Sequence, residues 1–122
     1  MSKGRRDRKI PRQRRKKDFE IKFYEGVVKR APHYVDALIP LAEAYTRNRY
    51  YKEGLEIDKR LSRLCKDDPI VHYNLACSHA QVGQTREALL NLQRAVALGY
   101  NQFEHLLRDP DLKPLHGDPE FH

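Results

Sequence analysis

Apolar positions in the middle of the chain recur at helical spacing. Val35, Leu38, Leu41, Ala42 and Tyr45 stand three or four residues apart and mark one face of a helix. Gly54, Ile57, Leu61 and Leu64 mark a second. A third face follows in His72, Leu75, Ala76, His79 and Val82, and a fourth in Ala88, Leu92, Ala95 and Val96. The breaks between these stretches have local causes. Gly83 can take the left-handed conformation that ends a helix, and Thr85 can cap the next one. Asn48 is expected to do the work of Gly83 one turn of the pattern earlier. Asp68-Pro69 supplies a helix cap followed by a proline at the first helical position, where its missing N–H costs nothing.

The pattern repeats. Val35 to Asp68 aligns with Pro69 to Gln102 at a separation of 34 residues and without a gap. Leu41-Ala42 falls on Leu75-Ala76, Gly54 on Ala88, Leu61 on Ala95, Leu64 on Leu98 and Tyr45 on His79. Ala42, Gly54, Ala76 and Ala88 stand where the two helices of a pair would cross. Small side chains there let the helix axes approach to roughly 8–10 Å.

The period, the pairs Leu41-Ala42 and Leu75-Ala76, Tyr45, Gly83, Ala88 and Ala95 resemble the tetratricopeptide repeat. The run Tyr73-Asn74-Leu75-Ala76 through Gly83 to Ala88 and Leu92 is a close match. The first copy is looser, with Arg49 in the place of Gly83 and Asp58 in the place of Leu92. One period upstream, residues 18–30 match only a second helix: Tyr24 answers to Leu92, Val27 to Ala95, and Pro32 closes the unit, while Glu20 departs from the small residue expected at the crossing. The resemblance implies an all-α array of antiparallel helical pairs, about two and a half repeats long. Residues 18–34 form a half repeat, 35–68 and 69–102 full repeats, and 103–122 a cap. Five main helices and one short one are expected.

The closing segment is also similar to one that ends many bacterial tetratricopeptide proteins: Gly99-Tyr100-Asn101, Phe103-Glu104-His105-Leu106, then Asp109-Pro110-Asp111-Leu112. Asn101 with Glu104 reads as a capping box. Asp109-Pro110 and Asp118-Pro119 repeat the cap-and-proline device. Phe103, Leu106, Leu107, Leu112, Leu115 and Phe121 suit a lid over the last apolar face of an open stack. A segment lying in the groove and regulating it is the alternative.

The resemblance further implies that the first helix of each pair lines a concave face. The inward positions are then Asp36, Ile39, Glu43, Thr46 and Arg47 on one helix and Ile70, Tyr73, Asn74, Cys77, Ala80 and Gln81 on the next, and the nine of these other than Thr46 and Ala80 are the expected partner-binding positions. A peptide or protein partner could dock there through apolar anchors and side-chain hydrogen bonds. One use of this fold grips a C-terminal carboxylate with Lys, Asn and Arg. Asn74 and Arg108 fit that pattern, but Ile39, Glu43 and Glu104 stand where Lys or Asn would be needed, and the two glutamates would repel a carboxylate. Tyr45 is expected in the core; Tyr73 could serve core or groove.

Charge divides the chain. Residues 1–17 hold ten basic side chains against Asp7, a balance of +9, so with a total of +7 the remainder is mildly acidic at −2. Such a block is expected to stay disordered. Arg5, Arg6, Arg12, Arg14, Arg15, Lys16 and Lys17 could hold RNA or another polyanion, touch an anionic membrane or an acidic protein, or merely keep the chain soluble. Without an aromatic to stack on a base, nucleic-acid binding there would ignore sequence. A nucleic-acid- or ribosome-associated protein acting through this arm is thus the rival of a protein-binding scaffold. The apolar excess of Phe19, Ile21, Phe23, Tyr24, Val27 and Val28 offers a face for self-association.

Little speaks for catalysis. No paired carboxylates, nucleophile–base pair or glycine-rich phosphate loop is visible, and Ser62 and Ser78 lie inside helices without a base at helical spacing. His72 and His79 are two turns apart, roughly 10 Å, with no evident third ligand. Cys65 and Cys77 make no redox or zinc spacing and read as small buried hydrophobes. No enzyme, metal or cofactor is expected. No apolar run approaches the roughly 18 residues of a membrane span, and no apolar stretch follows the N-terminal charges, so the expected location is the cytoplasm.

Overall fold

The computed structural model describes residues 12–121. Every regular element among them is helical. In chain order these are α1 (Arg12–Arg30), α2 (Val35–Arg47), α3 (Tyr51–Leu64), α4 (Pro69–Gln81), α5 (Thr85–Ala97) and α6 (Phe103–Arg108). Two 3₁₀ turns follow, Pro110–Leu115 and Pro119–Phe121. Each of the first four helices packs on the next, and the first 3₁₀ turn folds back onto α4 and α5.

The 34-residue period is visible in the backbone itself. α2 and α4 start 34 residues apart and end 34 residues apart, and α3 and α5 start 34 apart. The turns between paired helices match bond for bond. The Tyr50 N–H donates to the Tyr45 carbonyl at 2.8 Å, and the Gln84 N–H donates to His79 at 2.9 Å. That is the bond that closes a helix C-terminus through one left-handed residue. The left-handed residue is Gly83, with φ 84°, in the second copy. In the first it is Arg49, with φ 65°, and not Asn48, whose φ is −99°. Asn48 instead donates its side-chain amide to the Ala44 carbonyl at 2.7 Å, covering one of the acceptors the helix end leaves open.

Caps divide into those that form and those that do not. Asp68 accepts from the Ile70 N–H, Asp109 from Asp111 and Asp118 from Glu120, each at 2.9 Å. Thr85 does not cap α5, because it is already the first helical residue and Gln84 occupies the cap position. The Asn101–Glu104 box is likewise not formed: α6 starts one residue later, after Gln102.

Two apolar clusters meet at α4. One gathers Ile21, Val28, Leu38, Leu41, Ile57, Leu61 and Val71 from α1 to α4. The other joins Tyr73, Ala76, Cys77 and Ala80 of α4 with Leu89 and Leu92 of α5 and with Leu106, Leu112 and Leu115 of the closing segment. α4 is buried on nearly every side, as a helix apolar all round must be. The small residues are at the close approaches. Ala76, Ala88 and Ala95 are wholly buried, and a Cβ built on Gly54 would come 3.4 Å from the Thr46 hydroxyl and 3.5 Å from the Tyr45 Cβ. Ala76→Leu should therefore overpack the α4 crossing and cost about 1–3 kcal/mol. A thermal melt equal to the parent's would contradict this packing.

The ends differ from expectation. α1 begins at Arg12, so the basic residues 12–17 are helical backbone rather than a disordered arm. Arg, Lys and Gln are good helix formers, and once the packed stretch after Asp18 is helical each further turn costs little. Arg5 and Arg6 lie outside the described residues. In the closing segment Leu106, Leu112, Leu115 and Phe121 cover the core as expected, whereas Phe103 and Leu107 are exposed. α6 is six residues long, and one short helix cannot turn all its apolar side chains inward. Cys77 is buried, but Cys65 is only half-buried, near the end of α3.

Candidate functional site: an acidic groove

α2 and α4 line one face of a groove of about 440 Å³. Ile39, Glu43 and Arg47 come from α2, and Ile70, Tyr73, Asn74, Cys77 and Gln81 from α4. Eight of the nine expected positions are thus brought together. Asp36 is not. Among the described residues no first helix of a pair precedes α2, so nothing there walls the groove on that side and Asp36 falls outside it.

Other groove residues lie on α3, which the sequence pattern does not assign to it, and on the closing segment, which is expected there only as the alternative to a lid. Asp58 reaches it from α3, Tyr51 from the start of the same helix, and His105, Asp109 and Asp111 from the closing segment. The closing segment is therefore lid and wall at once. Gln81 donates to the Asp111 carbonyl at 2.9 Å, fastening that wall to α4. The available signal for Asp58 was its intrusion at a position where the second repeat has Leu92. Asp109 and Asp111 gave only the signal of a cap.

Asp109 is the centre of the buried network. The Tyr73 hydroxyl donates to its Oδ2 at 2.5 Å, and the Cys77 thiol lies 3.9 Å from the same oxygen. Its other oxygen takes the Asp111 N–H. The exposed His105 ring stands 3.4 Å from Oδ2. Tyr73 also stacks on Tyr100, with ring centroids 4.4 Å apart and planes 10° apart. Core and groove are thus both served by Tyr73, whereas Tyr45 is buried and donates to Glu25 of α1.

The electrostatics are one-sided. Burial, and then the charges of Asp109 and Asp111, push the Cys77 thiol far up, which keeps it protonated and poorly nucleophilic at neutral pH. Burial and Asp109 also raise the Asp111 carboxyl. Asp58 is pushed up to about 6, first by burial and also by the nearby charge of Glu43, against the hydrogen bond from Ser78 at 2.5 Å. Cys77 Sγ and carboxylate oxygens of Asp109 and Asp111 lie within 4.8 Å of one another. Against these acids the lining offers Arg47, which is already engaged with Glu20 at 2.8 Å, and His105 beside Asp109. Glu104 and Arg108 do not line the groove, so of the residues weighed for a carboxylate clamp only Ile39, Glu43 and Asn74 are present.

The raised Asp58 has a consequence for stability. Its carboxyl binds its proton more tightly in the folded chain than in the unfolded one, whose pKa is near 3.8. The associated stabilisation is full below pH 4 and is lost as the pH rises through about 6. The loss is at most about 3 kcal/mol for a shift of this size. Asp58→Asn should remove that part of the pH dependence. Urea unfolding at pH 4 and pH 7.5 tests it, and an unaltered pH slope in the variant would exclude Asp58 as its source.

No family model matches the chain. It is 29% identical over 83 residues to a chloroplastic protein from Arabidopsis thaliana, an alignment that takes in 63% of this chain. The chain spans about a quarter of that protein's length. Among the described residues no helix is long and apolar enough to cross a membrane.

Proposed function

We propose that the chain is a non-catalytic scaffold of the tetratricopeptide type that holds a peptide or protein partner in the groove between α2, α4 and the closing segment. The observation that carries this reading is the convergence of eight inward positions on one open groove, on helices whose boundaries repeat every 34 residues. Ile39 and Ile70 remain 41% and 47% exposed there, which leaves two apolar anchors for a ligand. The catalytic alternative lacks support in the groove's chemistry. The carboxylate of Asp109, not a base able to activate it, stands beside the Cys77 thiol, and the Ser78 hydroxyl is tied to Asp58. The test is partner capture by the full chain and by an Ile39→Ser/Ile70→Ser variant. Loss of partners in the variant, with its helix content unchanged, is the expected result. Identical partner sets would remove the groove from consideration.

A second reading concerns the basic end, and one observation favours it. Glu20 pairs with Arg47 in the last turn of α2, so the backbone of α1 continues for about two further turns, carrying Arg12, Arg14, Arg15, Lys16 and Lys17 on a helix. A polyanion such as RNA would find them on one element. If about five phosphates are neutralised, log affinity should fall with log salt at a slope near −3.5 to −4.5. A salt-independent affinity for RNA would dismiss this reading. Phe19 and Phe23, stacked on each other and 71% and 54% exposed, are the face that would serve self-association.

A further inference from the structure

The groove's charge narrows what can enter it. Glu43 on α2, Asp58 on α3, Asp68 at the cap of α4, and Asp109 and Asp111 in the closing segment all line it. They come from four different stretches of chain and converge on one surface. Opposite charge is scarce. Arg47 spends its guanidinium on Glu20, at 2.8 Å, and His105 lies against Asp109 at 3.4 Å. Among the described residues no lysine lines the groove. A ligand carboxylate or phosphate would meet like charge at every depth.

Resting on the scaffold reading, we infer that the groove selects a cationic peptide segment, with arginine or lysine side chains directed at Glu43, Asp58 and Asp111 and apolar side chains resting on Ile39 and Ile70. Arginine suits this surface better than lysine. Its planar guanidinium can bridge two carboxylates, and it gives up its hydration more cheaply than an ammonium. Asn74 adds an exposed polar side chain to the lining on α4. Charge complementarity of this kind sets which partner is accepted and how fast it arrives. The apolar anchors supply the affinity that does not depend on salt.

The probes are short peptides with blocked ends in which leucine alternates with arginine, glutamine or glutamate. Binding to the full chain is followed by fluorescence anisotropy. The arginine peptide should bind about tenfold more tightly than the glutamine peptide, and added salt should erode that gain. Glu43→Gln/Asp111→Asn should abolish the gain and leave the glutamine peptide's affinity unchanged. Both substituted side chains reach solvent, so the fold should tolerate the change, and circular dichroism checks that it does. An arginine peptide that binds no better than the glutamine one, or equally well to the double variant, overturns the inference. The scaffold reading fails separately: it falls if Ile39→Ser/Ile70→Ser leaves the affinity of every peptide unchanged.

Discussion

Leu115→Ala should destabilise the protein by about 2–5 kcal/mol, although Leu115 lies after the last α-helix and seven residues from the end of the chain. Its side chain is wholly buried, as is that of Leu112, and both belong to the cluster formed with Leu89 and Leu92 of α5. The large-to-alanine change loses the transfer energy of the removed methyl groups. It also leaves a cavity, because a 3₁₀ turn pinned by proline at both Pro110 and Pro114 cannot easily collapse into the space. The closing segment packs on α4 and α5 and covers the apolar face that these two helices share. Urea unfolding of the full chain reads the loss directly. A change below about 1 kcal/mol would mean that the segment is peripheral to the core. Ala76→Leu probes the same domain from inside, at the crossing of α4, and its smaller expected cost reflects strain in place of a void.

The second large effect is expected at Asp109. Asp109→Ala removes the cap of the first 3₁₀ turn and the acceptor of the buried Tyr73 hydroxyl together. Loss of a cap costs about 1 kcal/mol, and a buried hydroxyl left without its charged acceptor costs roughly 1.5–3. The total should be about 2.5–4 kcal/mol. Tyr73→Phe separates the two terms. With no hydroxyl to strand, the double variant should lose less than the sum of the single variants, by about 1 kcal/mol or more. Strict additivity would show that the two groups do not act on each other. Because Asp109 also shapes the groove wall, its loss should weaken partner capture even at temperatures where the fold survives.

The groove links these stability effects to the proposed role. Its lining includes two buried carboxylates that are costly to bury, Asp58 and Asp109. An apolar residue at Asp58, as at Leu92 in the second repeat, would avoid that cost. A cationic ligand side chain would offset it in the bound state, which gives the acids a function that packing alone does not.

The helical array was legible from the chain because local rules suffice to define it. Apolar spacing fixed the faces, Asp-Pro pairs fixed three starts, and a gap-free period of 34 fixed which helices correspond. Which positions turn inward was implied by the resemblance to the tetratricopeptide repeat and not by spacing alone, and eight of the nine partner-binding positions meet at the groove. Where the rules compete, sequence was a poorer guide. Asn and Arg can both enter the left-handed region, and closure of the turn after α2 selected Arg49, leaving Asn48 to bond Ala44. The basic charge run hid the helical propensity of residues 12–17. What only the tertiary structure decided is the character of the groove. Asp58, Asp109 and Asp111 are separated from Glu43 by up to two repeats of sequence, and spacing along one helix cannot reveal that they face one another. Their convergence is a product of folding: the closing segment must turn back onto α4 and α5 to bury Leu112 and Leu115, and in doing so it brings Asp109 and Asp111 to the groove.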